Sequence, residues 1–284
     1  MSLAEEKHKQ ATTYLMPFEK YHGLGNDFVI VNSSHLPDNC NQDYEIDLCK
    51  KICDRHRAIG ADGLIIIDSP KSSSTAVRSW RYYNSDGSIA QMCGNGIRCA
   101  AKYIYEHGLS HEETVFAIET LAGDIQVEIL DDELIKANMG AAREIITKQF
   151  LSLDDFNFDY TFVSMGNPHA VGFFEDINSV KNYGPQIEVH NNFPQKTNVE
   201  FAKIINSNEI DLIVWERGCG FTEACGTGAC ATVVAAIVQN YSQKDSDITV
   251  HLPGGDLVIR WDTVAETIFM TGKAEMSFLG YYNN

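Results

Sequence analysis

Apolar positions in this chain switch from helical to strand spacing twice, in the same order. From Ala229 the run ACATVVAAIVQN carries no charge through its body, which predicts a helix buried on every side. After it, ITVHLPGGDLVIRW and ETIFMTG alternate apolar and polar residues around Gly and Pro turns, the pattern of short strands. Earlier, IRCAAKYIYEHG predicts a helix stopped by Gly108, and TVFAIETLAGDIQVEIL with LIKANMG repeats the strand pattern.

The two passages are copies. Cys225 lies 132 residues after Cys93, and the same offset sets Gly94 on Gly226, Gly96 on Gly228 and Gly140 on Gly272. No gap is needed from Trp80 to Ala142, and a looser echo joins Gly25-Asn26 to Gly166-Asn167. Several matches on one diagonal predict an internal duplication. The expected fold class is therefore α+β: two pseudo-symmetric domains, each a curled, mostly antiparallel β-sheet around a central buried helix. Residues 1–15 read as a disordered tail or a segment added for expression, 16–140 as the first domain and 141–272 as the second. The surplus 273–284 is expected to return to the first domain as a closing strand.

Composition narrows the partners. The chain has 284 residues, 44% of them hydrophobic, enough for a full core without staples. Its formal charge of -17, from 39 acids against 22 bases, argues against nucleic acid and against an anionic membrane surface. No apolar run is long enough to span a bilayer. Eight cysteines without a secretory signal predict reduced thiols in a cytoplasm. Cys40, Cys49, Cys53, Cys99, Cys219 and Cys230 read as small buried hydrophobes.

Cys93 and Cys225 read differently, because each sits in Cys-Gly-x-Gly at the mouth of a helix. Glycines there leave backbone N–H groups free at the positive end of the helix dipole. Such a site grips a carboxylate, and it is expected to pull a thiol's pKa from about 8.5 toward neutrality. Two such sites face to face suit a reaction in which one thiolate removes an α-proton and the opposite thiol returns one to the other face. That chemistry inverts a stereocentre and calls for no cofactor.

These residues sit in longer motifs. FEKYHGLGNDFVIVN from Phe18, NSDGSIAQMCGNGIRCAAKY from Asn84, GNPHAV from Gly166, KTNVEF from Lys196 and WERGCGFTEACGTGACA from Trp215 strongly resemble the diaminopimelate epimerase family. The resemblance runs from about Pro17 to the end. It implies a homodimer that acts on a small-molecule substrate, diaminopimelate, converting the LL to the meso form without pyridoxal phosphate or metal. Cys93 and Cys225 would be the acid/base thiols, with His169 and Glu216 supporting them. The N–H groups of Gly94, Asn95, Gly226 and Thr227 would hold the reacting carboxylate. Asn26, Asn84, Asn167, Asn198 and Arg217 would hold the other amino-acid end, and Glu216 would also face substrate. Two departures stand out. Gly63 replaces a glutamine found in some members, and Phe221, where an acid is common, is expected to face the core.

Three rivals make different predictions. Proline racemases resemble CGHG at the first cysteine, whereas this chain has CGNG, and they lack the turn containing Arg217. A cysteine acyl transferase or hydrolase using Cys225 with His169 leaves Cys93 unexplained. A non-enzymatic anion binder would be indifferent to thiol alkylation.

Overall fold

The computed structural model describes residues 15–71, 73–130 and 134–283; the tail expected at 1–15 lies outside them apart from Leu15, where the first strand begins. The first half contains β1 (Leu15–Gly23), β2 (Asn26–Asn32), β3 (Gly63–Asp68), β4 (Arg78–Asn84), β5 (Val115–Thr120), β6 (Gly123–Ile129) and β7 (Leu134–Asn138). After β8 (Glu144–Ser152), the second half contains β9 (Asn157–Ser164), β10 (Pro168–Phe173), β11 (Asn198–Asn206), β12 (Glu209–Glu216) and the short β13 (Gly220–Phe221). It continues with β14 (Ile248–Leu252), β15 (Gly255–Asp262) and β16 (Thr267–Lys273), and β17 (Glu275–Asn283) closes the chain.

Pairing repeats between the halves. β2–β3 and β4–β5 run parallel, as do β10–β11 and β12–β14, and the other named pairs are antiparallel. The fold is thus the expected α+β arrangement, a curled and mostly antiparallel sheet around buried helices. The halves also exchange strands: β17, which follows the second copy, pairs with β1, while β8, which follows the first, pairs with β9. β7 and β16 pair edge to edge, so one sheet passes through both halves.

Each half wraps one central helix, Gly94–Glu106 in the first and Gly226–Val238 in the second. In the second, every residue from Gly228 to Ile237 is buried, as its unbroken apolar run requires. Both helices belong to one continuous apolar core with strand residues of both halves. A satellite core lies under the helix Gln42–Ile52, and an aromatic one gathers Phe158, Tyr160 and Phe201. Among the described residues, no helix is long and apolar enough to cross a membrane.

Candidate active site

Both cysteines are helix N-caps with extended backbone, Cys93 at φ -142° and Cys225 at φ -119°. Each sulfur accepts from the N–H three residues on, Gly96 to Cys93 and Gly228 to Cys225, at 3.4 Å in both cases. This is the bond a Ser or Asp makes as N-cap, here made to sulfur. The N–H groups of Gly94 and Asn95, and of Gly226 and Thr227, lie in the first turns, where the helix itself supplies no acceptor. The first turns abut: a Cβ added to Gly94 would stand 3.5 Å from the Gly226 Cα, and the reverse distance is the same. Asn95 ties the halves further, donating to the carbonyl of Ala224 at 3.0 Å.

Around Cys225 the side chains are polar. His169 and Glu200 are fully buried, with His169 Nδ1 2.6 Å from Glu200 Oε1. His169 Nε2 lies 3.1 Å from Asn167 Oδ1, Asn167 donates to Thr227 Oγ1 at 3.3 Å, and Thr227 Oγ1 is 3.7 Å from the Cys225 sulfur. Glu216, whose carboxylate acts electrostatically on the Cys225 thiol, accepts from Thr222 at 2.5 Å.

Around Cys93 the partners are amides. Its sulfur is 3.8 Å from Asn26 Oδ1, which also accepts from Asn95 at 3.2 Å. Asn26 donates to Asp62 at 2.7 Å, and Arg55 bridges Asp62 and Asp27. Although burial pushes Asp27 up, Arg55 and Lys20 hold its pKa down to about 2. The Arg98 side chain is fully buried and donates to the Gly94 carbonyl and to Asn95 Oδ1, each at 3.0 Å, bracing the helix start.

The thiols are not acidified, contrary to the expectation from the helix dipole. Burial pushes Cys93 above the ordinary thiol range despite the Gly96 and Asn95 N–H groups. Burial, then the Glu216 and Glu200 carboxylates, push Cys225 well above it, against Thr227 and Gly228. Desolvation of the thiolate outweighs the N–H donors and the dipole at both sulfurs. Burial raises Glu216 and Glu200 as well, opposed at Glu216 by Thr222 and at Glu200 by His169.

The structure thus gathers Cys93, Cys225, Gly94, Gly226, Asn26, Asn95, Asn167, His169, Glu216 and Thr227. Three other candidates are held differently. Asn84 bonds Tyr82 and Ser88. Both ends of the Asn198 amide are engaged, with the Pro168 carbonyl and the Arg217 N–H. The exposed Arg217 guanidinium donates to the Gln195 carbonyl. Phe221 does not face the core: it is 46% exposed and packs edge-on against Trp215. Cys219 is exposed and Cys40 half-buried, unlike the other four expected hydrophobes. At Gly63 a Cβ would meet Tyr82 at 2.5 Å and the Tyr83 carbonyl at 2.6 Å, so the backbone there has no room for a side chain. Sequence reasoning missed Glu200 and Arg98. The available signal was one charge inside an apolar strand, NVEFA, and one inside an apolar helix, GIRCAA.

A sequence profile described as diaminopimelate epimerase matches residues 18–145 and 161–277. A diaminopimelate epimerase of Halothermothrix orenii is 47% identical, over 93% of this chain and 97% of that protein. One of Bacillus cytotoxicus is 44% identical, over 93% and 96%. Two solved structures share the fold at low identity. A Bacillus anthracis phenazine biosynthesis protein of the PhzF family has a TM-score of 0.73 at 15% identity, over 94% of this chain and 99% of that one. A hydroxyproline epimerase of Agrobacterium vitis has 0.71 at 13%, over 95% and 94%. With cysteine-capped helices meeting at their glycines and this similarity along nearly the whole length, the chain belongs to the diaminopimelate epimerase family.

Proposed function

We propose that the protein interconverts LL- and meso-2,6-diaminopimelate by proton transfer at one Cα between Cys93 and Cys225, a step in making lysine and peptidoglycan precursors. The observation that carries this reading is the pair of free thiols capping two helices whose first turns abut. The reacting carboxylate sits against the N–H groups of Gly94, Asn95, Gly226 and Thr227. These donors stabilise the charge that builds there as the Cα–H bond breaks. One sulfur, as thiolate, takes that proton. The opposite S–H gives its own to the other face of the carbanion. Each turnover inverts the centre and exchanges which sulfur is protonated. His169 and Glu216 support Cys225, with Glu216 accepting the thiol proton when Cys225 is the base. Asn26, Asn84, Asn167 and Arg217 bind the distal amino-acid end, Asn198 anchors the Arg217 turn, and Glu216 faces the substrate.

Residues 16–140 and 141–272 form two domains around this cleft, with 273–284 returning to the first. The enzyme works in the cytoplasm, where its thiols stay reduced. It works as a homodimer, and β17 is a suitable face: it pairs with β1 and exposes Met276, Phe278, Leu279 and Tyr281. Tyr281→Asp is expected to shift the sedimentation of the protein toward the monomer, and an unchanged dimer would exclude this face.

Proton NMR of LL-diaminopimelate in D₂O, with enzyme and reductant, tests the chemistry. The expected result is conversion to the meso form with deuterium gained at Cα. Folded, reduced protein that exchanges nothing would reject the substrate, and proline and hydroxyproline would be offered next.

A further inference from the structure

The registers of the two halves align residue by residue. Phe28 faces Gly63 across β2–β3 as His169 faces Asn198 across β10–β11. Ile65 faces Tyr82 across β3–β4 as Glu200 faces Val214 across β11–β12. Glu200 therefore occupies the position of Ile65, and His169 that of Phe28. The glycines of the two helix starts say the same. A Cβ on Gly96 would meet Ile65 Cδ1 at 3.4 Å, whereas one on Gly228 would meet Glu200 Oε1 at 3.0 Å. The Cys225 sulfur is 3.2 Å from that same point beside Gly228, so carboxylate and sulfur flank one small gap in the backbone. Glu200 is fully buried, and its second oxygen has no hydrogen-bond partner among the described residues.

We infer that Glu200 is a positioning residue that keeps the resting proton on Cys225, so that Cys225 rests as the acid and Cys93 as the base. An acid in an apolar strand next to a sulfur makes the thiolate there costly, since like charges in a dry site repel strongly. Its counter-group His169 holds Oε1, the oxygen that faces the Gly228 gap, at 2.6 Å. The other charged groups that act on the pair are Glu216, on both sulfurs, and Arg98, on Cys93. Glu216 in turn feels the charges of His169 and Asp62. Ile65 places no such charge beside Cys93. The inference rests on the two-thiol reading above and adds an order to it.

The test is Glu200→Gln, whose amide can still bond His169 Nδ1, with Glu200→Leu as a second charge removal. Alkylation by neutral iodoacetamide is followed against pH, with the Cys93 and Cys225 peptides resolved by mass spectrometry. Both variants are expected to alkylate Cys225 about tenfold faster at a pH where the wild-type thiol is protonated, an effect of about one pKa unit, and to leave Cys93 nearly unmoved. The alkaline limb of the kcat profile, where Cys225 loses its proton, should shift to lower pH while the acid limb stays. An unchanged Cys225 profile would overturn the inference. A slower reaction would too, because Glu200 would then act by sustaining a cation on His169. Near-UV circular dichroism identifies the variant that keeps the fold, and that variant decides. Wild-type protein that fails to exchange the Cα proton would sink the function instead, whatever the alkylation shows.

Discussion

The first half surrounds its cysteine with amides and aromatic rings; the second surrounds its cysteine with acids and an imidazole. Backbone, cap and N–H donor match closely, down to the same 3.4 Å bond to each sulfur. The lining differs at corresponding places: Asn84 for Glu216, Ile65 for Glu200, Phe28 for His169 and Tyr82 for Val214. A duplicated scaffold thus supplies geometry twice, and a few side chains give the two thiols unlike electrostatic surroundings. A substrate with one reacting and one distal end requires that inequality, because a symmetric cleft would bind it equally well in two orientations.

The largest effect expected is from removing either sulfur. Cys93→Ala and Cys225→Ala should each lower net epimerisation by about 10²- to 10⁴-fold, the usual worth of a positioned proton donor or acceptor. Polarimetry or chiral chromatography of the product measures this, and full activity in either variant would break the two-thiol comparison. Next is Glu216→Asn, which gives the second half the first half's residue. It should lower kcat by about 10²-fold, at the lower end of such effects, and a change in KM alone would assign Glu216 to binding rather than to Cys225.

Glycines at the helix starts come third. At Gly228 a Cβ would press on Glu200 at 3.0 Å and on the Cys225 sulfur at 3.2 Å, while at Gly96 it would meet the Trp80 ring at 3.2 Å. Gly→Ala at either position should cost about 1–3 kcal/mol of stability by overpacking, read as a lower urea midpoint. Only Gly228→Ala should also change the pH dependence of alkylation at Cys225.

The smallest effect is a shared pH slope. Burial pushes Cys99 in the first helix and Cys230 in the second up to about 12. A thiol raised on folding holds its proton in the native state after the unfolded chain has lost it. Its stabilising effect is complete below about 8.5, the free thiol value, and is lost as pH climbs toward 12. Urea midpoints should fall from pH 8 to 10, and Cys99→Ala with Cys230→Ala should flatten that slope. An unchanged slope would mean other groups carry it.

Much of the fold was legible because the repeat is local. Cysteine, two glycines and an apolar run identify the start and environment of each helix, and period-two alternation marks the hairpins behind them. The site was partly legible for the same reason, since Cys93, Cys225 and their N–H donors lie within a few residues of one another. The exchange of β8 and β17 was only half visible, because pairing between distant strands leaves no local pattern. Glu200 was missed because its partner His169 comes from another strand, and Arg98 because the strand carrying Met270 and Lys273 closes over it from the other half. The direction of the thiol shifts was misjudged for a related reason: a helix terminus can be read from glycines, but depth of burial cannot.

By itself the sequence determined the duplication, the family and the two helices that open on Cys93 and Cys225. All of these depend on covalent spacing and backbone preference. The tertiary structure decided what surrounds each sulfur: which carboxylates are dry, which amides are already engaged, that Arg217 reaches outward, and that the two first turns meet at Gly94 and Gly226. Those outcomes depend on desolvation and on contacts between separate segments, as far apart in sequence as Asn95 and Ala224, and both are set only when the chain has folded.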